Sequence, residues 1–417
     1  VADADQVLGR VGEPPGDVEL DGAKEKLGWP KEPRFYIPEV ALEHFRKAIP
    51  QGAALEGDWH QRFAAYRTEY PELAAELERR LSGQLPEGWD VDLPVFPVDE
   101  KGLATRASSG KVLNALAGKL PELIGGSADL APSTNTWISS SVAFSFDEES
   151  RIGRNLHYGV RENGMGSVVN GLAYHGGFIP FGATFLVFSD YMLPALRLSA
   201  LSHLGSIWVF THDSIAVGED GPTHQPVEHL AALRAIPNLL TLRPADANEV
   251  RVAWQVAIEN RHRPTALALT RQALPTLDRS FFASEQGVRK GAYVLADLGT
   301  GKPQIILMAS GSEVSLILAA GKELAAQGIS VRLVSFPCWE LFSEQEAAYR
   351  DSVLLPGVEK RLAVEAGISM GWQRWVGDHG QVIGLDRYGA SAPAGEIFKN
   401  LGFSVENVVK SALDLLK

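Results

Sequence analysis

At 417 residues the chain exceeds what one compact core comfortably holds, so two or three domains are expected. A net charge of −12, from 51 acidic against 39 basic side chains, excludes a nucleic-acid binder held by a broad basic face, though it leaves room for a local basic pocket. Cys338 is the single cysteine, which excludes an intrachain disulfide and a cysteine zinc site and fits a reducing, cytoplasmic setting.

The chain opens V-A-D-A-D, with neither an initiating Met nor a secretory leader, and a processed or truncated product is the expectation. Residues 1–100 are rich in Glu, Pro and Gly. Helical spacing appears at 40–48 and again at 59–81, where Phe63, Tyr66, Tyr70, Leu73, Leu77 and Leu81 recur. Proline-containing runs at 29–30 and 94–97 punctuate the region, which reads as a connector without a core of its own. From 101 to 285 the texture becomes α/β: a helix over 109–120, a strand at 123–125, a Gly/Ala-rich helix over 164–175, and strands at 207–211 and 266–270. A second α/β unit spans 286–417, with strands at 305–309, 331–336 and 362–365 and helices over 312–327 and 405–416. Strands alternating with helices imply mainly parallel sheets covered on both faces. The most apolar stretch, 178–188, contains Pro180 and Gly182 and is too short to span a membrane.

In such folds ligands sit beyond the carboxyl ends of strands, so the loops at 125–129, 159–163, 211–225 and 270–272 are the places to look. Several motifs fail there and elsewhere. The G-T-G-K at 299–302 has Ala296 where a P-loop needs its first glycine and Pro303 where it needs Ser or Thr. The G-G-S at 125–127 lacks the closing glycine of a nucleophile elbow, because Asp129 stands there. His224 and His229 are five apart and do not share a helical face as a zinc pair would.

Three features survive. The loop F-T-H-D-S-I-A-V-G-E-D-G-P-T-H-Q-P at 210–226 places His212, Asp220 and His224 after an apolar strand, suited to bonding a polyhydroxylated substrate or moving its protons; a polar surface loop is the plain alternative. Glu162 opens the Gly/Ala-rich helix, where a carboxylate ordinarily complements the helix dipole. Phe185, Phe188 and Tyr191 recur every three residues, a spacing that usually marks core.

The run A-T-R-A-S, L-I-G-G-S-A-D-L-A-P-S, Y-G-V-R-E, G-A-T-F-L-V-F-S-D-Y, T-H-D-S-I-A-V-G-E-D-G-P-T-H-Q-P and L-T-R-Q-A-L-P, in this order, closely resembles the transketolases. A-S-G-S-E-V, F-P-C-W-E-L-F and D-R-Y-G-A-S-A-P-A-G resemble the same family's C-terminal domain. The resemblance implies an α/β fold with a thiamine-diphosphate-binding-type parallel sheet domain followed by a smaller α/β domain. It implies transfer of a two-carbon ketol unit from a ketose phosphate to an aldose phosphate in the pentose phosphate pathway, with thiamine diphosphate and Mg or Ca. By resemblance Glu162 bonds the aminopyrimidine, Phe185, Phe188 and Tyr191 wall it, and Asp129 helps to position the thiamine. Arg106, Ser133, His212 and Arg271 would hold substrate phosphate, Asp220 would read the ketose C2 hydroxyl, and His224 would bond hydroxyls and assist proton transfer. Asn163 departs from the pattern, many members having His or an aromatic there.

The family's front domain carries a Gly-Asp-Gly that grips metal and diphosphate, and no Gly-Asp-Gly occurs in this chain. The expectation is therefore that the diphosphate-binding domain is missing, that its ligands for Mg or Ca lie elsewhere, and that the chain alone binds cofactor weakly and is inactive. The expected partners are sugar phosphates, a second subunit in a homodimer and the missing domain, with no nucleic acid and no membrane. A relative resembling dihydroxyacetone synthase, or a non-catalytic dimerisation fragment, are the alternatives.

Overall fold

The computed structural model describes residues 16–145 and 151–417, so the opening acidic stretch lies outside the described residues. The chain divides into two compact units, 1–76 and 77–417. The described part of the first unit is helical, with Asp17–Lys26, Glu39–Arg46, Ala48–Glu69 and the start of Pro71–Leu81. The single helix expected over 59–81 is two helices. Tyr70 takes φ −130° and ψ 67°, because Pro71 disfavours helical geometry in the residue before it. Along the long helix Trp59 stacks on Phe63 at 5.0 Å, and Tyr66 meets Tyr70 at 5.1 Å. Lys24 and Ala74 are the buried residues among those described here, and the Lys24 ammonium is satisfied by donating to the Arg34 carbonyl at 2.6 Å.

The second unit contains three sheets. A six-stranded parallel sheet is ordered β3-β2-β4-β5-β7-β6, formed by β2 (Leu123–Ser127), β3 (Asn155–His157), β4 (Ile179–Phe185), β5 (Ile207–Thr211), β6 (Leu240–Leu242) and β7 (Thr265–Leu269). A five-stranded sheet is ordered β13-β12-β10-β11-β9, with β9 (Tyr293–Leu298) the antiparallel edge beside β10 (Ile305–Ala309), β11 (Val331–Ser335), β12 (Arg361–Val364) and β13 (Gln381–Ile383). A short ribbon pairs β1 (Asp99–Ala104) antiparallel to β8 (Ala273–Thr276). This is the expected α/β architecture with a smaller α/β domain behind it. Strands β4, β5 and β7 are buried along their whole length, as parallel strands covered by helices on both faces must be, so they read as unbroken apolar runs. Among the described residues no helix is long and apolar enough to cross a membrane.

The stretch at 185–191 differs from a core helix. Phe185 ends β4, and Phe188 and Tyr191 stand on a 3₁₀ turn, Leu186–Met192. Three residues per turn eclipse positions i and i+3, which explains the spacing by three.

The two larger sheets are joined by buried charge. Arg243, just after β6, has no exposed surface; its Nε donates to Asp213 at 2.8 Å, and its Nη1 donates to the Ser310 carbonyl at 3.0 Å and to Glu313. Glu365, after β12, accepts two bonds from Arg234 at 2.7 and 2.8 Å and one from Trp372 Nε1 at 2.9 Å. Arg234 also lies 3.9 Å over the Trp339 ring. Gly311 adopts φ +54°, and a Cβ there would stand 2.7 Å from the Arg243 guanidinium, so only glycine fits against this network. Tyr293 and Ser335 add a second tie, both donating to Glu249 at 2.7 Å.

Burial alone would raise the Glu365 carboxyl, but Arg234 and Arg243 bring it down to about 2 from an ordinary 4.5. A depressed carboxyl contributes stability that is present above its unfolded value and is lost as pH falls through its folded value. Replacing Glu365 by Gln leaves two buried guanidinium groups short of a partner and should lower unfolding stability by about 3–5 kcal/mol near neutral pH. In denaturant titrations the difference from the parent should shrink as pH falls from 4.5 toward about 2; a difference independent of pH would rule this account out.

Candidate active site

The site lies at the carboxyl ends of β2, β4, β5 and β7, where parallel strands leave their loops facing a common crevice. Arg106 is the second residue of the helix Thr105–Lys119, and a clasp holds its start against the end of β7: the Thr105 and Thr270 hydroxyls are 3.1 Å apart, and the Thr270 amide donates to Thr105 Oγ1 at 2.7 Å. That clasp sets Arg106 beside Arg271 although 165 residues separate them. Burial first, and the nearby Arg271 charge second, lower the Arg106 guanidinium from its ordinary value. Arg106 Nη1 donates to the Ser133 carbonyl at 2.6 Å and lies 3.5 Å from His212 Nε2. Ser133 thus meets Arg106 through its backbone and not through its hydroxyl. Arg271 Nη1 donates to the Val217 carbonyl at 3.0 Å.

His212 follows β5 in a left-handed conformation, φ +59°. Its Nδ1 is 2.8 Å from Thr211 Oγ1, and its ring stacks 3.6 Å from Phe185. Burial pushes the imidazole down to about 3, helped by Arg106, Arg271 and His224. The ring is therefore neutral at physiological pH. Arg106 at a helix start, Ser133 in the short helix Ala131–Thr134, and His212 and Arg271 on loops are thus brought together, a cationic patch on a chain of net negative charge.

The aromatic residues continue from this patch. Phe185 stacks on Phe188 at 5.9 Å, Phe188 meets Tyr191 at 6.1 Å, and His224 approaches Phe188 edge-on at 5.5 Å. Tyr191 is 65% exposed and Phe188 half-buried, so this wall is open on one face. His224 Nδ1 lies 2.9 Å from Thr223 Oγ1. Asp220 is exposed between Gly218 (φ +86°) and Gly221 (φ +76°), and Asp129 is exposed at φ +63° after β2. Glu162 is the first residue of the helix Glu162–His175 and only 7% exposed, yet its carboxylate has no hydrogen-bond or ion-pair partner among the described residues. Glu162 is therefore largely buried, while its carboxylate oxygens, absent from the buried unsatisfied atoms, reach the crevice and are free to accept from a ligand that donates.

Reading the sequence missed two neighbours of this site. Asp190, beside Tyr191, is 3.2 Å from His229 Nε2, and with Glu228 their ligand atoms lie within 4.8 Å of one another. This contact ties the aromatic turn to the start of the helix His229–Arg234. Asp213, beside His212, is the buried partner of Arg243. Both pairings join segments far apart in the chain, and no local pattern marks them.

Residues 101–276 match the family model of the transketolase pyrimidine binding domain, residues 291–404 that of the transketolase-like C-terminal domain, and residues 5–86 that of the transketolase thiamine diphosphate binding domain. The last match corrects the expectation that the diphosphate-binding domain is missing. The described part of 5–86 is built mainly of helices, and it contains no Gly-Asp-Gly. Reading 1–100 as a connector from a lost domain, and the chain as inactive for want of it, falls with that expectation. The chain is 51% identical over 406 residues to the transketolase of Geobacillus stearothermophilus, covering 97% of this chain and 60% of that protein. It is 49% identical to the chloroplastic transketolase of Craterostigma plantagineum, covering 96% of this chain and 76% of that protein. A solved Pichia stipitis transketolase in complex with sedoheptulose 7-phosphate superposes with a TM-score of 0.90 at 43% identity, over 97% of this chain and 59% of that one. The chain spans about three fifths of the length of most curated relatives it matches. With that degree of likeness across nearly its whole length, the chain belongs to the transketolase family.

Proposed function

We propose that this crevice takes the aminopyrimidine end of thiamine diphosphate together with a sugar phosphate, and serves transfer of a two-carbon ketol unit from a ketose phosphate to an aldose phosphate in the pentose phosphate pathway. In this reading 101–285 is the pyrimidine-binding domain and 286–417 the C-terminal domain. The observation that carries it is Glu162, buried, unpartnered and set at a helix start in a chain of this family. A carboxylate so placed fits an aminopyrimidine, with one proton shared between it and a ring nitrogen, and the half-open wall of Phe185, Phe188 and Tyr191 fits the ring's faces. When bound, the cofactor supplies the carbanion chemistry that no side chain can provide.

The remaining roles belong to the chain's own residues. Glu162 holds a shared proton on the pyrimidine ring. Arg106 and Arg271 give planar donors to the substrate phosphate, and neutral His212 adds a ring nitrogen without a further charge. Asp220 and His224, on one loop, meet the sugar hydroxyls, with His224 placed to pass a proton. Asp129 stands by the thiamine from the loop after β2. Among the described residues Asp129, Glu162 and Asp220 belong to no group of carboxylates that could hold the oxygen set Mg or Ca takes. A second copy of the chain is the proposed partner for the exposed face of Glu162–His175, which shows Gly164, Ser167, Val168, Gly171 and Tyr174.

Glu162→Gln keeps the shape and removes the charge, so ketol transfer from xylulose 5-phosphate to ribose 5-phosphate should fall by roughly 10²–10⁴-fold, with the fold intact by circular dichroism. Turnover within a factor of about two of the parent would refute the role, because general acid–base groups contribute far more than that. Arg106→Ala and Arg271→Ala should each raise KM for phosphorylated substrates and leave an unphosphorylated donor such as hydroxypyruvate little affected. Equal losses on both donors would overturn the phosphate assignment. By proton NMR the His212 imidazole should show no titration between pH 8 and about 4, and Arg106→Ala should move its midpoint upward from about 3. A midpoint near the ordinary 6.5 would contradict the buried, cation-flanked geometry.

A further inference from the structure

Gln225 follows His224 directly and is 2% exposed, and its amide is engaged from both ends. Its Nε2 donates to the Gly218 carbonyl at 2.9 Å and to the Ala390 carbonyl at 2.9 Å, while its Oε1 accepts from the Ala390 amide at 3.1 Å. Gly218 belongs to the loop that carries Asp220 and His224. Ala390 lies in the D-R-Y-G-A-S-A-P-A-G segment of the C-terminal domain, 165 residues away. A second bond joins the same two segments, Ser391 Oγ donating to the Glu219 carbonyl. With Arg271 on Val217, three successive loop carbonyls at 217, 218 and 219 are each taken by a side chain. Space is reserved for this arrangement as well: a Cβ on Gly389 would stand 1.8 Å from Gln225 Oε1. Gly389 is not in left-handed backbone, so a side chain there would act through bulk alone, by displacing the Gln225 amide.

We infer that Gln225 is a positioning residue, through which the C-terminal domain's 389–391 segment sets the place of Asp220 and His224 over the crevice. The loop needs such a device. It turns through positive φ at both Gly218 and Gly221, and its Asp220 and Pro222 are exposed, so packing alone does not hold its outer half. An amide that bonds both the N–H and the C=O of one residue, as Gln225 does with Ala390, fixes both position and orientation, which a single bond cannot do. The catalytic meaning of this clasp rests on the function proposed above; the clasp itself does not.

The test uses the full chain with Gln225→Ala and, separately, Gly389→Ala. Hydrogen–deuterium exchange should rise at 214–225 and 386–393 by about tenfold or more, with β5 and the helix Val405–Leu416 protected as in the parent. In ketol transfer, kcat should fall by about tenfold or more while KM shifts less than about threefold, since misplaced groups act in the reaction step more than in binding. Unchanged exchange at 214–225, or a rise spread evenly over the whole chain, would overturn the positioning role. So would a loosened loop with kcat and KM both unchanged. If the parent shows no ketol transfer, the proposed function fails while the exchange result still decides the clasp. Should Gln225→Ala not fold, Ser391→Ala removes one bond alone and carries the same exchange measurement.

Discussion

Arg243 is a full positive charge with no access to water, and the whole second unit is arranged to tolerate it. Asp213 reaches it from the loop after β5 in the six-stranded sheet; Ser310 and Glu313 reach it from the five-stranded sheet. Neither sheet can satisfy the guanidinium alone, so the two must be apposed in one way for the charge to be buried at all. Such a network gives little net stability compared with apolar packing, but a misdocked arrangement would leave charges unpaired at several kcal/mol each, which makes it a strong selector of geometry. Here the selected geometry matters to chemistry, because Asp213 is the neighbour of His212.

From that constraint the crevice follows. His212 sits in left-handed backbone between Thr211, which touches its Nδ1, and Asp213, which is locked to Arg243. Its ring is pressed against Phe185 and flanked by Arg106 and Arg271, so it stays neutral while standing in a cationic patch. A strained φ at a residue over-determined on both sides is the pattern expected where a side chain must be aimed. The loop beyond it receives a second restraint from the C-terminal domain through Gln225 and Ser391. The smaller domain thus reaches the site twice, once through buried charge and once through backbone carbonyls.

Much of the architecture was legible from local pattern. Strands 207–211 and 305–309 and the helix 405–416 lie where the apolar runs and the amphipathic spacing put them. The helix expected over 59–81 erred at Tyr70 for a local reason, the proline that follows. The spacing of the aromatic triplet left its local structure open: the chain leaves β4 at Phe185 and makes a 3₁₀ turn. The front region shows a different failure. The missing Gly-Asp-Gly points to an absent diphosphate-binding domain, yet residues 5–86 match that domain's family model.

The sequence by itself determined the α/β class, the order of its strands and helices, the local acidity and the chemical cast of the loops, because each depends on neighbours within a few residues or on composition. It also carried the family, since the motifs that bear His212, Asp220, His224 and Glu162 are contiguous. Only the tertiary structure decided which loops meet: that Arg106 and Arg271 stand side by side, that Ser133 presents its carbonyl, that Glu162 is buried without a partner, and that Gln225 faces Ala390. Those facts depend on the order of strands in a parallel sheet and on the docking of two sheets. Contacts across 165 residues leave no periodicity or spacing for a reader of the chain to find.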